Sequence, residues 1–331
     1  MIISKTPLRI SFLGGGTDLP IFYKKLKYGA VVSSSINKYL YITIKKQNKL
    51  FDEKYRLNYS ITELVTDIDK IKNPVIRECI KFMNIDDYLY ISTIADVHSQ
   101  TGLGSSSALC VGLLNALYKF KGLNVSIEKL AEEASYIEID KLNLSLGKQD
   151  HYSAAFGGLN YIKFLDNDKV EVEKMNLDGK LFSKLNKSFL IFWTGIQRSS
   201  EPILKEQSQN NVINIKKLIK LRGYAKEFYN LLKRDDDLSI ESFGEFIHNS
   251  WCIKRSLASS VTSNLIDKLY DLARKNGAYG GKICGAGGGG FLLIIADPKH
   301  HSSIINEFKK LNIERYYLNF ENTGSKVFEI F

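Results

Sequence analysis

Residues 102–109 read GLGSSSAL and lie between a strand-like segment and an apolar helical segment. Gly102 and Gly104 let the backbone approach a phosphate closely, because glycine has no side chain and tolerates positive φ angles. The three serines after Gly104 add backbone N–H groups and hydroxyls at the start of a helix, where anions bind. This segment predicts a phosphate-binding loop, and an ordinary serine-capped helix after a glycine turn is the alternative.

Two further glycine-containing segments lie on either side of this loop along the chain. Residues 7–19, PLRISFLGGGTDL, run from an apolar strand that carries Arg9 into three glycines and Asp18. This pattern suits a tight polar wall for ligand hydroxyls, or else a strand that ends in a turn with a solvated aspartate. Residues 282–297, KICGAGGGGFLLIIAD, place five glycines before an apolar strand, so backbone must pass very close to something there. They predict a second phosphate-facing loop or a tight connection between strands.

The loop at residues 102–109 matches neither of the two commonest nucleotide fingerprints. Ser107 occupies the third glycine position of the dinucleotide pattern, and Gly281-Lys282 is followed by Ile283 instead of the Ser or Thr of a Walker A loop. The chain also contains no HRD and no DFG sequence, which excludes a protein kinase. Any kinase activity therefore belongs to another class.

Hydrophobic patterning indicates strands and helices in mixed order. Segments 30–46, 88–95, 189–195 and 291–296 are rich in β-branched and aromatic residues and predict strands. Helices are predicted over residues 105–121, from Ser126 to about Leu142, over 150–156, over most of 200–276 and near 300–311. Residues 315–320 and 326–331 also look strand-like, and a domain boundary is predicted near residues 185–200.

Composition excludes several classes of protein. The chain has 331 residues, 44% of them hydrophobic, and a formal charge of +10 that is spread along its length, so a nucleic-acid partner is not expected. Its N-terminus lacks a signal-peptide pattern, and no apolar run approaches the roughly 18–20 residues of a membrane span. We therefore expect a cytoplasmic protein without membrane contact. The histidines lack zinc-ligand spacing, and four widely spaced cysteines predict reduced thiols: Cys79, Cys110, Cys252 and Cys284.

Taken together, the order and spacing of the three glycine-containing segments resemble the GHMP kinase family of galacto-, homoserine, mevalonate and phosphomevalonate kinases. The resemblance spans most of the chain and implies an ATP-dependent small-molecule kinase. It also implies an α+β fold of two domains with the active site between them. Residues 1–190 would form a domain like domain 2 of ribosomal protein S5, and residues 191–331 a ferredoxin-like domain.

The resemblance assigns roles to particular residues near the predicted phosphate loop. The ATP phosphates would be held by Gly102, Leu103, Gly104, Ser105, Ser106 and Ser107. Ser106 and Glu138 would bind Mg²⁺, although Glu132, Glu133 and Asp140 are neighbouring carboxylates that compete for the second position.

The same resemblance implies a catalytic pair. Asp150 occupies the position of the family's catalytic aspartate, and Arg9 matches a position from which a cation is placed beside it. A guanidinium there could keep Asp150 ionised and stabilise charge on the transferred phosphoryl group. Because Asp150 lies at a predicted helix start, a helix N-cap is its other role.

Within the family, the segments LRISFLGGGTDLP, GKQDHYSAAFGGLN and TGIQRSSEPIL are similar to those of members that phosphorylate the anomeric hydroxyl of D-glycero-D-manno-heptose 7-phosphate. This similarity implies heptose 1,7-bisphosphate as the product, on the way to nucleotide-activated heptose for capsule or lipopolysaccharide. Galactose itself is disfavoured, because Gly15-Gly16 stands where the galactokinase pattern has Glu-His. The substrate-binding residues would be Gly15, Gly16, Thr17, Asp18, Arg198 and Gly287, with Arg198 as a cation for the substrate phosphate and Lys148 as a weaker candidate.

The resemblance also fits other functions. A fucokinase-like or galactokinase-like kinase, a family decarboxylase and a non-catalytic regulator that binds ATP and sugar are the alternatives. We expect a monomer or a homodimer.

Overall fold

The computed structural model describes residues 1–177, 179–199, 201–209, 211–234 and 238–330. The strands are β1 (Ile2–Leu13), β2 (Tyr28–Lys46), β3 (Tyr55–Asn58), β4 (Thr62–Val65), β5 (Leu89–Ala95), β6 (Leu159–Leu165), β7 (Val170–Lys174), β8 (Phe189–Trp193), β9 (Ala278–Ile283), β10 (Phe291–Ala296), β11 (Arg315–Tyr316) and β12 (Lys326–Glu329). The α-helices are α1 (Pro20–Tyr23), α2 (Pro74–Phe82), α3 (Ser105–Phe120), α4 (Ile127–Tyr136), α5 (Gln149–Phe156), α6 (Gly179–Ser188), α7 (Glu201–Gln209), α8 (Asn211–Lys233), α9 (Ile240–Lys254), α10 (Asn264–Lys275) and α11 (Pro298–Lys309). A 3₁₀-helix covers Ile68–Lys70, and a π-helix covers Ile137–Lys141.

The larger sheet is built around the long strand β2. Strand β1 pairs antiparallel with β2 over almost its whole length, from Ile2 opposite Ile44 to Leu13 opposite Val32. On its other edge β2 pairs with β5 through its C-terminal half and with β6 through its N-terminal half. The register of β1 shifts after Pro7, a residue that has no N–H to donate to the sheet. The path of this sheet is β12-β1-β2-β5-β3-β4, with β6 and β7 branching from β2.

The smaller sheet is antiparallel and has the order β11-β8-β10-β9. All six residues of β10 are buried, which explains why FLLIIA is a continuous apolar run. One hydrophobic core on this sheet includes Phe192, Trp251 and Phe308. The domain boundary between residues 190 and 191 remains a prediction, and β8, in which it falls, belongs to this sheet. The C-terminal strand β12 pairs with β1 in the larger sheet.

Most of the elements that hydrophobic patterning predicts are confirmed. Ser126 caps α4 by accepting a hydrogen bond from the Lys129 N–H, and the helix continues as a π-helix to Lys141. The strand-like segment 315–320 pairs only at β11, although Phe320 forms a single bridge with Ile36. Within the described residues, no helix is both long and apolar enough to cross a membrane.

Phe12 connects the two sheets through aromatic packing. Its ring lies 5.6 Å from the ring of Phe189 on the smaller sheet and 5.6 Å from that of Phe243 on α9. Phe320 contacts the same ring at 6.0 Å. Because Phe12 is only two residues before Gly14, this packing also holds the end of β1 in place.

We expect Phe12→Ala to lower the free energy of unfolding by about 3–5 kcal/mol, because it leaves a cavity in a fully buried aromatic cluster. The matched control is Phe51→Ala, at a ring that is 46% exposed, which should change stability by no more than about 0.5 kcal/mol. Urea unfolding followed by circular dichroism measures both. Equal effects of the two substitutions would contradict the proposed connection between the sheets.

Candidate active site

Arg9, in the C-terminal half of β1, forms a bidentate ion pair with Asp150. The Arg9 Nε donates to Asp150 Oδ1 at 2.6 Å, and Nη2 donates to Oδ2 at 2.5 Å. The remaining nitrogen, Nη1, donates to the Gly102 carbonyl at 2.7 Å, so one buried guanidinium joins the aspartate to the predicted phosphate loop. The N-cap residue of α5 is Lys148, so Asp150 lies in the first turn of the helix and does not cap it.

The predicted phosphate loop requires its glycines. Gly102 and Gly104 have φ angles of +83° and +80°, which other residues rarely adopt. A Cβ on Gly104 would lie 3.2 Å from Arg9 Cγ, and one on Gly102 would lie 2.4 Å from the Cys284 carbonyl oxygen. Helix α3 starts directly afterwards at Ser105, and its N-terminus has no hydrogen bond from a capping side chain. Its first N–H groups can therefore receive an anion.

Glu138 lies in the π-helix and is completely buried beside this loop. Its carboxylate accepts hydrogen bonds from Ser106 Oγ at 2.6 Å, from Ser107 Oγ at 2.8 Å and from His151 Nε2 at 2.6 Å. Burial acts to raise the pKa of Glu138, but its hydrogen bonds with His151, Ser106 and Ser107 and the electrostatic effect of His151 outweigh burial and lower the pKa. The structure thus brings together Ser106 and Glu138, the two residues assigned to Mg²⁺.

The carboxylates that compete with Glu138 for this position lie elsewhere. Glu133 accepts a hydrogen bond from the Tyr118 hydroxyl at 2.6 Å, and Glu132 and Asp140 are exposed. Among the described residues, no group of three or more His, Cys, Asp and Glu side chains is arranged to hold a metal ion. The Ser106 and Glu138 oxygens do suit a hard cation, because Mg²⁺ prefers oxygen ligands and one of them carries a negative charge.

Asp18 is buried in the turn that follows β1. It accepts hydrogen bonds from the Gly16 N–H at 3.0 Å and from the Gln149 N–H at 3.4 Å. Burial and the nearby charge of Asp150 raise the pKa of Asp18, although the backbone N–H groups oppose this shift. The Thr17 hydroxyl is used inside the turn, where it donates to backbone carbonyls and accepts from the Ala30 N–H.

The glycine-rich segment after β9 packs against the phosphate loop. A Cβ on Gly285 would lie 2.7 Å from Gly102 Cα, and one on Gly290 would lie 2.3 Å from the Thr101 carbonyl oxygen. Gly287 faces Val261, whose carbonyl oxygen would be 2.6 Å from its Cβ. The close passage of backbone that the sequence indicated is therefore a contact between segments of the chain.

The two candidate cations for a substrate phosphate differ in their surroundings. Arg198 is exposed, and its Cδ would lie 3.1 Å from a Cβ on Gly288 in the glycine-rich segment. Lys148 donates to Asp168 Oδ1 at 3.2 Å and lies over the ring of Tyr23.

Two buried lysines at the site were missed by the sequence analysis. Lys254, the last residue of α9, donates to the Gly285 carbonyl at 2.6 Å, and burial lowers its pKa to about 8. Lys282 on β9 donates to the carbonyls of Ser11 and Phe12, and burial lowers its pKa well below the usual value. Lys254 gave no signal, because it lies within a long polar segment that is predicted to be mostly helical, where a lysine normally indicates a solvated helix face. Lys282, inside an otherwise apolar strand, could have been noticed.

Comparison with known proteins places this arrangement in a family. The family described as GHMP kinases N terminal domain matches residues 71–158, and GHMP kinases C terminal matches residues 229–313. D-glycero-alpha-D-manno-heptose 7-phosphate kinase from Campylobacter jejuni is 30% identical, over 93% of this chain and 93% of that protein. Galactokinase from Pyrococcus furiosus is 26% identical, over 92% and 91%. The crystal structure of a D-glycero-D-manno-heptose 1-phosphate kinase from Bacteroides thetaiotaomicron superimposes with a TM-score of 0.81, 24% identity and full coverage of both chains.

The chain belongs to the GHMP kinase family, and it is a small-molecule kinase. The predicted α+β architecture of two domains is confirmed as that of the GHMP kinases.

We expect Lys254→Met to stabilise the folded protein by about 1–3 kcal/mol at pH 7. The lowered pKa of Lys254 means that the folded protein must keep a charged lysine buried below pH 8. Between pH 8 and the usual lysine pKa near 10.4, the folded protein releases this proton before the unfolded chain does. The advantage of the variant should therefore shrink as pH rises through this window.

Urea unfolding of the wild type and of Lys254→Met at pH 7 and pH 10 measures the difference between their free energies of unfolding. Lys217→Met is the control, because Lys217 also donates to a backbone carbonyl, that of Ser256 at 2.9 Å, but through a solvent-exposed hydrogen bond of a half-buried side chain. A difference for Lys254→Met that stays the same at both pH values would contradict the prediction.

Proposed function

We propose that the protein catalyses the ATP-dependent phosphorylation of the anomeric hydroxyl of D-glycero-D-manno-heptose 7-phosphate to heptose 1,7-bisphosphate. The observation that carries the proposal is the Arg9 guanidinium, which binds Asp150 and Gly102 of the phosphate loop at once. The 30% identity to a heptose 7-phosphate kinase over nearly the whole chain supports the choice of sugar. The product would serve nucleotide-activated heptose synthesis for capsule or lipopolysaccharide in the cytoplasm.

In the proposed reaction, Asp150 accepts the proton of the anomeric hydroxyl as the sugar oxygen attacks the γ-phosphorus of ATP. The bond between this phosphorus and the oxygen that links it to the β-phosphate breaks, and ADP leaves. Arg9 fixes the orientation of the Asp150 carboxylate through two hydrogen bonds. Phosphoryl transfer needs mainly positioning and electrostatic stabilisation from the protein, which a rigid pair of this kind supplies.

The ATP phosphates would lie on Gly102, Leu103, Gly104, Ser105, Ser106 and Ser107. Ser106 and Glu138 would hold Mg²⁺, which neutralises phosphate charge when it is bound. His151 and Ser107 orient the Glu138 carboxylate, because each donates a hydrogen bond to it.

On the sugar side, the buried Asp18 would accept hydrogen bonds from substrate hydroxyls. Gly15, Gly16, Thr17 and Gly287 complete the proposed wall. Arg198 is the proposed cation for the 7-phosphate, because it is exposed next to the glycine-rich segment that contacts the phosphate loop. We further propose a monomer or homodimer that has no nucleic-acid or membrane partner.

A coupled ADP-release assay tests the proposal. Purified protein, ATP and Mg²⁺ are combined with heptose 7-phosphate, mannose, fucose, galactose or mevalonate. We expect turnover with heptose 7-phosphate that exceeds turnover with every free sugar. Stronger turnover with galactose or fucose would overturn the proposed substrate but not the proposed kinase activity. CO₂ release from an isoprenoid substrate would indicate a decarboxylase. Ligand binding without ADP release would indicate a regulator.

Asp150→Asn should lower the turnover number by about 10²–10⁴, the range for loss of a general base. Asp140→Asn, at an exposed position near Glu138, is the matched control and should retain turnover. Steady-state kinetics with circular dichroism as a check on folding measure both. Near-normal turnover of a folded Asp150→Asn protein would remove Asp150 from the role of base.

A further inference from the structure

Three polar side chains converge on the space above Gly15. A Cβ on Gly15 would lie 3.5 Å from Lys254 Nζ, 3.6 Å from Ser11 Oγ and 3.9 Å from Gln149 Nε2. These side chains come from α9, β1 and α5, so the convergence depends on the tertiary structure. We call this group of four residues the Gly15 subsite.

The Gly15 subsite contains polar atoms that lack hydrogen-bond partners. Ser11 Oγ and Gln149 Oε1 are buried and have no partner among the described residues. The Lys254 ammonium group has three protons to donate, and the hydrogen bonds of the described residues give it one acceptor, the Gly285 carbonyl. A buried polar atom without a partner costs about 1–3 kcal/mol, so its presence calls for an explanation such as a ligand.

The charges around the Gly15 subsite favour a hydroxyl over an anion as this ligand. Asp18 exerts the largest charge effect on Lys254, and Arg9, the next largest, is ion-paired with Asp150, so the Asp18 carboxylate would repel a phosphate placed here. No direct hydrogen bond between Lys254 and Asp18 is present in the described part of the chain. A hydroxyl can accept from the ammonium and donate to the Asp18 carboxylate, so it satisfies both groups at once.

The position of the subsite indicates which hydroxyl it receives. Lys254 contacts Gly285, which packs on Gly102 of the phosphate loop, and Gln149 is the residue next to the proposed base Asp150. A substrate hydroxyl bound in this subsite would therefore be adjacent to the hydroxyl that is phosphorylated. If the anomeric hydroxyl on carbon 1 reacts, as in the proposed function on which this inference rests, its neighbour is the hydroxyl on carbon 2.

We propose that Lys254 and Ser11 are substrate-binding residues that hydrogen-bond the sugar's 2-hydroxyl. Glycine at position 15 leaves the room that this hydroxyl needs, because a larger side chain would occupy the space in front of both groups. Lys254 and Ser11 thereby determine specificity for a sugar that carries a 2-hydroxyl, at Gly15, where the turn has no side chain of its own.

Steady-state kinetics of Lys254→Met and Ser11→Ala test the proposal with heptose 7-phosphate as the probe. We expect the KM for the sugar to rise about 10–100-fold for Lys254→Met, the range for a lost hydrogen bond to a charged group, and several-fold for Ser11→Ala. The KM for ATP should change by less than about two-fold. Neither variant should have a lower melting temperature, because each removes a poorly satisfied buried polar group, whereas a purely structural role would lower it.

A 2-deoxy analogue of heptose 7-phosphate completes the test as a double-mutant cycle. The wild-type protein should lose about 10–100-fold in kcat/KM with the analogue, and Lys254→Met should lose little more when the analogue replaces the sugar. Lys217→Met, outside the site, should behave like the wild type. Equal losses with the analogue in wild type and Lys254→Met would overturn the proposal, and Ser11→Ala keeps it testable if Lys254→Met does not fold.

Failure of the proposed function has a different signature. A wild-type protein that prefers another aldose overturns the choice of heptose, and the same cycle is then carried out with the 2-deoxy form of that sugar. Unchanged sugar KM values in both variants overturn the Gly15 subsite while the kinase activity stands. A wild-type protein that phosphorylates no sugar overturns both.

Discussion

The two hydrogen bonds between Arg9 and Asp150 join residues that are 141 positions apart in the chain. Arg9 projects from β1 at a position that pairs with Ser35 of β2, Asp150 from the first turn of α5, and the third guanidinium nitrogen donates to the Gly102 carbonyl. Because these donors lie in one plane at fixed angles, the positions of strand, helix and loop depend on one another. The proposed base and the proposed phosphate site are thus held in one geometry.

Around this pair the site collects buried charges of both signs. Arg9 and Lys254 lie among Asp18 and Asp150, and burial raises the pKa of Asp18 while it lowers that of Lys254. Burial is the largest cause of both pKa shifts, and in each case it favours the neutral form of the side chain. The surroundings therefore solvate charge poorly. Electrostatic interactions are stronger in such surroundings than in water, which suits a reaction whose catalysis is mostly electrostatic.

Glycine has two different roles in the three segments. At Gly15 it leaves room next to polar side chains, whereas at Gly102 and Gly285 it allows two backbone segments to touch. The sequence alone left a ligand-facing loop and an ordinary turn, helix start or strand connection as alternatives in each segment, because the absence of a side chain does not show what occupies the space. Glu138 illustrates a related limit: its sequence neighbourhood offered several carboxylates, and the π-helix buries this one against Ser106 and Ser107.

The sequence by itself determined the order of the principal elements and the family, since these depend on local periodicity and on motifs of a few adjacent residues. Through the family pattern it also named two pairs of residues, Arg9 with Asp150 and Ser106 with Glu138, that are in contact in the structure. Only the tertiary structure decided which other groups meet. Lys254 lies within the long segment that the sequence predicts to be mostly helical, and Ser11 within a predicted strand, and no pattern singled out either residue, yet both reach Gly15. The reason is physical: burial, pKa and unsatisfied hydrogen bonds arise from contacts between residues far apart in the chain, and no local pattern records those contacts.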